Sequence, residues 1–333
     1  MTSVTQPAAT PEVISATGGA AAPEVRSRRF LSRAPKEAEA QDRGIISSMD
    51  WRRPGVRAAM RPIHVILLII LIIVGIGPLL WLAKSAITPT QDTLREPMAL
   101  FPNGVDWTAL SRAWSDPQVG IGTQFLNTLW VAVGSWGVQL LVATTGGYAL
   151  AVLRPKYAKI VNGLVLGTLF VPAVVLLVPL YLIVLHPPVI GAPIINTFWA
   201  VWLPAGANAF NILLMTRFFN NLPREVFEAA KTDGAGPFRL FWSIVLPMSR
   251  PILGVVSVFA IINAWKDYLW PSLVLANPAV QPLSVRLPLI QPQIELDVFL
   301  AALAISTLIP IVLFLIFQGA FLRSAGLGGA VKG

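Results

Sequence analysis

"EVFEAAKTDGAGPFRLFWSIVLP", residues Glu225–Pro247, interrupts with charge a chain otherwise written for an apolar solvent. Glu225, Glu228, Lys231, Asp233 and Arg239 fall inside it, although charged residues make up only 12% of the 333 and hydrophobic ones 55%. Its local grammar predicts two short helices joined by a tight turn. Asn221 stands ahead as a candidate cap, and Pro223 suits a first helical turn, where its missing N–H removes no bond. Val226, Phe227, Ala229 and Ala230 offer a small apolar face. Gly234 can adopt positive φ, and Gly236-Pro237 can open the second helix. The expectation over 221–250 is therefore an ordered helix–turn–helix at a membrane surface, a rigid knob shaped for a cleft in another protein.

The membrane itself is read from the flanks. The apolar fraction exceeds the roughly 45–50% of soluble domains. Residues Ile63 to Leu82 contain no Asp, Glu, Lys or Arg, and at about 1.5 Å per residue they cross a hydrocarbon core about 30 Å thick. The run follows some sixty polar residues rather than opening the chain, which is the pattern of a retained span and not of a signal peptide. Five further apolar segments follow, Gln124–Leu153, Ile160–Leu185, Ile194–Phe219, Ile252–Trp270 and Val298–Leu322. The fold class predicted is all-α, a polytopic membrane protein with six transmembrane helices.

An even span count puts both termini on one side, and the basic residues say which. Twenty of the 25 Lys and Arg lie in the N-terminal tail, in the loops after the second and fourth apolar segments, or at the C-terminus. The positive-inside rule then places both termini and the 221–250 elbow in the cytoplasm. Residues 1–60, rich in Ala, Pro, Ser and Glu with no apolar period, read as a disordered cytoplasmic tail. Residues 61–333 read as the membrane domain. The net charge of +9 belongs to this asymmetry and is not taken as a nucleic-acid footprint.

The chemistry-bearing residues are few. There is no cysteine, and only His64 and His186 carry imidazole, so no zinc site is expected. No G-x-x-x-x-G-K-[ST] loop is present, so ATP hydrolysis would fall to a partner. No nucleophile–base or paired-carboxylate arrangement supports a catalytic site. Intramembrane polar candidates for a pathway are Asn127, Gln139, Asn208, Asn211, Asn263, Lys266 and Asp267, accompanied by Tyr181, Trp199, Trp202, Trp265 and Tyr268. Each alone is more often a helix–helix contact or an interfacial anchor than a ligand contact. Lys266 and Asp267, adjacent and ionisable near the outer end of a span, are costly there unless partnered and are expected to gate or brace the extracellular mouth. Prolines 78, 172, 179, 204 and 310 are expected to kink their spans.

At the elbow the sequence resembles the EAA loop of ABC-importer permeases, approximately E-A-A-x-x-x-G followed by I-x-L-P. Here it reads Glu228-Ala229-Ala230-Lys231-Thr232-Asp233-Gly234, then Ile244-Val245-Leu246-Pro247. "NAWKDYLWPSLVL", Asn263–Leu275, resembles the W-N-D-F-L-W-P signature of the carbohydrate-importer permeases, with Lys266 where that pattern has Asn. The terminal Gly329–Gly333 resembles their tail. The resemblance runs from about Pro62 to Gly333 and is closest to the maltose-type G subunit.

The resemblance implies a permease subunit of a binding-protein-dependent importer for sugars, forming half of the pathway in the bacterial inner membrane. It implies a second permease subunit as heterodimer partner, two cytosolic ATPases, a sugar-binding protein outside and surrounding lipid. It implies ATP and Mg²⁺ on the partners and no cofactor on this chain. Glu228, Ala229, Ala230, Asp233 and Gly234 would form the ATPase-coupling surface, with Glu228 meeting a basic group there or, alternatively, pairing with Lys231 or Arg224. Asn208, Asn211, Asn263, Trp265, Lys266 and Asp267 would line the pathway or its outer gate. Two alternatives share parts of the pattern, an ABC permease for a non-sugar solute and a secondary transporter. The second would need coupling carboxylates or broken repeat helices near the midplane; the span centres hold almost no acidic residue, and the sequence shows no inverted pair of broken helices.

Overall fold

A computed structural model describes residues 54–116 and 120–326, and every regular element among them is helical. The chain falls into two units, 1–67 and 68–333. Of the first, the described part is the beginning of helix α1, Pro54–Ser85. Residues 54–60, grouped above with the tail, are thus helical. The rest of that tail and the Gly329–Gly333 ending lie outside the described residues.

The helices follow in order. After α1 come two short ones, α2 (Thr90–Arg95) and α3 (Thr108–Ser115), then the long α4 (Gly122–Tyr148), which continues through a π turn at Ala149–Leu153. Next are α5 (Ala158–Thr168), α6 (Leu177–Leu185), α7 (Trp199–Ala205) and α8 (Ala209–Asn220). The elbow follows as α9 (Arg224–Thr232), α10 (Pro237–Leu240), a π turn at Phe241–Val245 and α11 (Leu246–Met248). The chain closes with α12 (Arg250–Lys266), α13 (Leu269–Val274), α14 (Leu283–Ile290) and α15 (Leu296–Gly326).

The apolar segments are real, but several are broken. Among the described residues, 60–85 and 122–153 are each long and apolar enough to cross a membrane as one helix. Two bent pairs pass the same test only when each is taken as one span, which gives up to four: α5 with residues 173–185, at 104°, and residues 237–248 with α12, at 79°. The first bend falls at Pro172, which has no N–H to donate and holds extended geometry (φ −59°, ψ 127°). The Ile194–Phe219 segment divides after Pro204 and Gly206 into α7 and α8. Pro78 and Pro310, by contrast, sit inside helices that run on past them. In α1 the side chains from Val65 to Val74 are all about half or more exposed, the condition of a helix solvated by lipid chains rather than by protein.

α4 is the hub, packed by α7, α8, α12 and α14, and α12 in turn packs on α15. Small residues allow the closest approaches. At Gly134 a Cβ would stand only 2.0 Å from the Trp202 ring of α7, so α4 and α7 meet at this distance only because no side chain intervenes. Three apolar cores result. One joins Ile121 and Ala132 to Trp265, Leu283 and Val298. A second gathers Val131 and Val201 with Trp270 and Leu275. The third ties Ala143, Tyr148 and Met215 to Ala230, Leu240, Phe241 and Val245 of the elbow.

Candidate functional site

Two features stand out, and α12 joins them: the elbow before its N-terminus and a polar cavity at its C-terminal end.

In the elbow, α9 begins after Pro223, which occupies the cap position at φ −57° and ψ 127° with no side-chain cap bond. Asn221, expected to cap, instead closes α8 in helical geometry. Proline's fixed φ already sets the entry angle, so the asparagine is not needed there. The other end follows a complete C-capping pattern. Gly234, at φ +76°, donates to Lys231 O at 3.0 Å, and Ala235 N donates to Ala230 O at 2.9 Å. These are the two bonds of a Schellman motif, with glycine at the left-handed position. Gly236 then precedes Pro237, which takes the first position of α10.

The elbow is clamped to the helices above it. Tyr148 Oη donates to Pro237 O at 2.8 Å, and the Tyr148 and Phe241 rings lie 4.9 Å apart. Ala230, Leu240, Phe241 and Val245 are buried. Val226 and Phe227 are half-buried, but Ala229, expected on the same face, is exposed. Ala229 is one residue past Glu228 and about 100° from Ala230, which turns it outward. The E-A-A-x-x-x-G residues therefore divide. Ala230 anchors and Gly234 turns the chain, while Glu228, Ala229 and Asp233 face outward together. Among the described residues no ion pair joins Glu228 to Lys231 or Arg224, although all three border a small pocket of about 180 Å³.

The polar cavity, about 470 Å³, lies among α4, the α7–α8 junction, α12 and α13. Ser135 and Gln139 line it from α4, Asn208 from the cap of α8, Asn263 and Asp267 from α12, and Trp270 from α13. Asn208 Oδ1 accepts from Asn211 N at 3.0 Å, capping α8 where its backbone must be extended. Asn211 Nδ2 donates to Gln139 Oε1 at 2.9 Å, so Asn211 stands behind the wall and orients it. The Asp267 carboxylate lies beside the backbone N–H groups of Leu269 and Trp270 at the start of α13. Trp270 Nε1 donates to Ala200 O at 3.0 Å. Ser135 is 1% exposed, yet its Oγ has no hydrogen-bond partner among the described residues. An unpaired buried hydroxyl costs about 1–3 kcal/mol, so it is a position where a polar solute gains by completing the bond.

Of the sequence candidates, Gln139, Asn208, Asn263 and Asp267 meet at this cavity, and Asn211 supports it. Trp265 does not line it. It is buried in another core with its ring 6.0 Å from Phe125. Lys266 is exposed and does not line the cavity, and among the described residues no ion pair joins it to Asp267. Asn127 is structural, donating to Ala279 O at 2.8 Å and Gln281 O at 3.1 Å. Ser135 and Trp270 were not singled out by sequence. Trp270 was legible only as part of L-W-P, and Ser135 carried no signal.

Comparison with known proteins follows the same lines. Residues 143–325, more than half of the chain, match the family described as "Binding-protein-dependent transport system inner membrane component". The chain is 30% identical over 264 residues to the arabinooligosaccharides transport system permease protein AraQ of Halalkalibacterium halodurans, covering 78% of this chain and 92% of that one. It is 27% identical over 266 residues to the sn-glycerol-3-phosphate transport system permease protein UgpE of Yersinia pestis, covering 78% and 93%. Its fold resembles a chain in the crystal structure of a bacterial ABC transporter involved in the import of the acidic polysaccharide alginate, with a TM-score of 0.70 and 21% identity over 80% of this chain and 98% of that one.

Proposed function

We propose, for a chain that belongs to the family of binding-protein-dependent transport system inner membrane components, that it forms half of a sugar translocation pathway and takes its driving motion through the elbow. Its general place is fixed by the family: a multi-pass membrane permease subunit of an ABC importer, served by ATPase subunits that hydrolyse ATP and by a substrate-binding protein. The finer reading has six spans with several of them bent, both termini and the 221–250 helix–turn–helix in the cytoplasm, and a second, different permease completing the pathway. ATP and Mg²⁺ sit on the partners, and this chain holds no cofactor.

The observation that carries the reading is that one helix serves both features. α12 starts just after Ser249, where the elbow ends, and brings Asn263 and its C-cap residue Asp267 to the cavity. Outward-facing Glu228, Ala229 and Asp233 form the surface for the ATPase. A closing motion of the ATPases reaches the cavity through a single rigid element. The cavity suits a hydroxylated solute, with amide and hydroxyl groups on several walls and the Trp270 ring beside them. AraQ and the alginate transporter are named for saccharides.

A non-sugar solute is the second reading, since UgpE is named for sn-glycerol-3-phosphate. No Lys or Arg lines the cavity and Asp267 does, which disfavours a phosphate ester on this half. The test is reconstitution with the partner permease, the ATPases and the binding protein, followed by uptake of a labelled panel of neutral mono-, di- and oligosaccharides and glycerol phosphate. ATP-dependent uptake of a neutral saccharide is expected. Uptake of glycerol phosphate alone refutes the sugar reading, and uptake by the chain without ATP refutes the importer reading.

A further inference from the structure

A second cavity, also about 470 Å³, opens at the corner between α4 and α5 and has a different chemistry. Arg154, Lys156 and Lys159 line it, with Asn162, Thr216 and Asn220. No acidic residue is among its lining residues. Arg154 takes the left-handed conformation at φ +47° and is pinned there, its Nε donating to Ala151 O at 2.6 Å and its Nη2 to Asn220 Oδ1 at 2.8 Å. Both lysines are exposed and bridge to no carboxylate among the described residues. Asn162 Oδ1 is buried without a hydrogen-bond partner among those residues. Large apolar side chains stand exposed around the same corner: Leu153 at 50%, Tyr157 at 63%, Ile160 at 67% and Leu164 at 67%.

These observations specify a ligand of mixed character. Three cations in a cavity whose lining holds no carboxylate call for an anion, and a phosphate diester meets lysine and arginine donors well. The unpartnered Asn162 acceptor calls for a hydroxyl next to that anion. The exposed apolar residues call for hydrocarbon. The loop joins two apolar helices, so it lies where the headgroups of a bilayer lie, and Tyr157 is the residue type enriched there. We infer that this corner is a binding site for an anionic phospholipid bearing a hydroxylated headgroup, phosphatidylglycerol in kind. The phosphate sits among Arg154, Lys156 and Lys159, a headgroup hydroxyl donates to Asn162 Oδ1, and the acyl chains run along Ile160 and Leu164.

The site also touches the elbow. Arg154 and Asn220 line both this cavity and the smaller pocket bordered by Glu228 and Lys231. A bound phosphate therefore fixes the same arginine that forms the floor beneath α9, and lipid occupancy stiffens the elbow's seat.

The test uses the full chain assembled with its partner subunits and purified in detergent, with bound lipid counted by native mass spectrometry. Dioleoyl phosphatidylglycerol is expected to be retained and dioleoyl phosphatidylcholine is not. The double variant Lys156→Gln, Lys159→Gln is expected to weaken phosphatidylglycerol binding about thirtyfold, from ~1 kcal/mol per basic residue at an anionic surface. Lys156→Arg, Lys159→Arg keeps binding and serves as the check on folding and topology. Asn162→Ala lowers affinity for phosphatidylglycerol but leaves that for phosphatidic acid, which has no headgroup hydroxyl, unchanged. Equal retention of the two dioleoyl lipids overturns the assignment, as does a glutamine variant that still prefers phosphatidylglycerol. Soluble glycerol phosphate binding as tightly as the lipid would assign the pocket to a free phosphate ester. Loss of ATPase association with phosphatidylglycerol binding intact would assign it to a protein partner. Both outcomes overturn the lipid site.

Discussion

Gly234 offers the cleanest perturbation of the elbow, because its backbone and its surroundings make separate predictions. A Cβ built there meets nothing within 4 Å, so a substituted side chain has room. The whole penalty comes from φ +76°. Alanine at a left-handed position costs about 1 kcal/mol and a β-branched residue about 2 kcal/mol or more, whereas asparagine tolerates the region. If the valine abandons the turn, the Lys231 and Ala230 carbonyls lose their capping donors and α10 is re-aimed. The Tyr148–Pro237 bond is then placed at risk, for about another 1 kcal/mol. The expected order of damage is Gly234→Asn, then Gly234→Ala, then Gly234→Val. It is read as ATP-driven uptake and as co-purification of the ATPase, each at matched membrane levels. The spans should remain folded, since the change lies in the exposed turn. Three equally severe variants would show that the side chain rather than φ matters, and a Gly234→Val protein that transports and binds ATPase normally would refute the docking role.

Glu228→Ala should weaken ATPase association by about 1–3 kcal/mol, the worth of a lost charge-assisted hydrogen bond, and Glu225→Ala should do less; the reverse order in a pull-down counts against Glu228 as the contact. With no native cysteine, Leu100→Cys, 86% exposed before α3, should react with an impermeant thiol reagent in intact cells, and Thr232→Cys should not; labelling of Thr232→Cys would invert the topology. Ser135→Ala removes a buried hydroxyl that has no partner among the described residues, so thermal stability should hold or rise while uptake falls; a drop in stability with uptake unchanged would make Ser135 structural. Asp106 accepts from Thr108 Oγ1 at 2.6 Å and Thr108 N at 2.8 Å, and the side-chain bond first, then the backbone bond, holds its carboxyl below the ordinary range. A depressed acid stabilises the fold above its unfolded pKa and loses that contribution as pH falls through the lower folded value. Thr108→Ala should therefore raise the Asp106 titration midpoint, measured from its carboxyl-carbon chemical shift, and an unmoved midpoint would contradict the assignment.

The elbow was legible because glycine and proline carry backbone information directly. Gly234 and Pro237 occupy the positions their conformations suit, and Ala230 falls on the buried side of an amphipathic turn. The broken helices were less legible, since a hydropathy window averages across a break. Ile160–Leu185 and Ile194–Phe219 each read as one span kinked at its prolines, whereas the helix is divided, at Pro172 and at the Gly206–Asn208 segment. The cavity was half visible. Asparagines in an apolar span attract notice, and Asn208 and Asn263 do reach it. Ser135 drew none because hydroxyls in membrane helices usually satisfy themselves on the preceding turn. Thr144, Ser249 and Ser257 do so, bonding Leu140 O, Val245 O and Leu253 O. Only the three-dimensional arrangement shows that Ser135 does not. Lys266 and Asp267 were legible only in part: neighbours in sequence at a helix end diverge, so Asp267 lines the cavity and Lys266 does not.

The 79° bend at Ser249 turns the elbow and α12 into the two arms of a crank. The pivot is packed rather than loose, since Ser249 is fully buried and its Oγ is tied to Val245 O at 2.6 Å. The long arm, 17 residues, measures about 25 Å. A push on the short arm that rotates the crank by about 10° sweeps Asp267 through roughly 4 Å, an ordinary amplitude for packed helices under load. A cavity of about 470 Å³ is only about 8 Å across if taken as a cube, so that sweep is half its width. On the proposed reading of the elbow as the ATPase's lever, such a tilt would carry Asp267 and its wall of the cavity inward without any bending of α12.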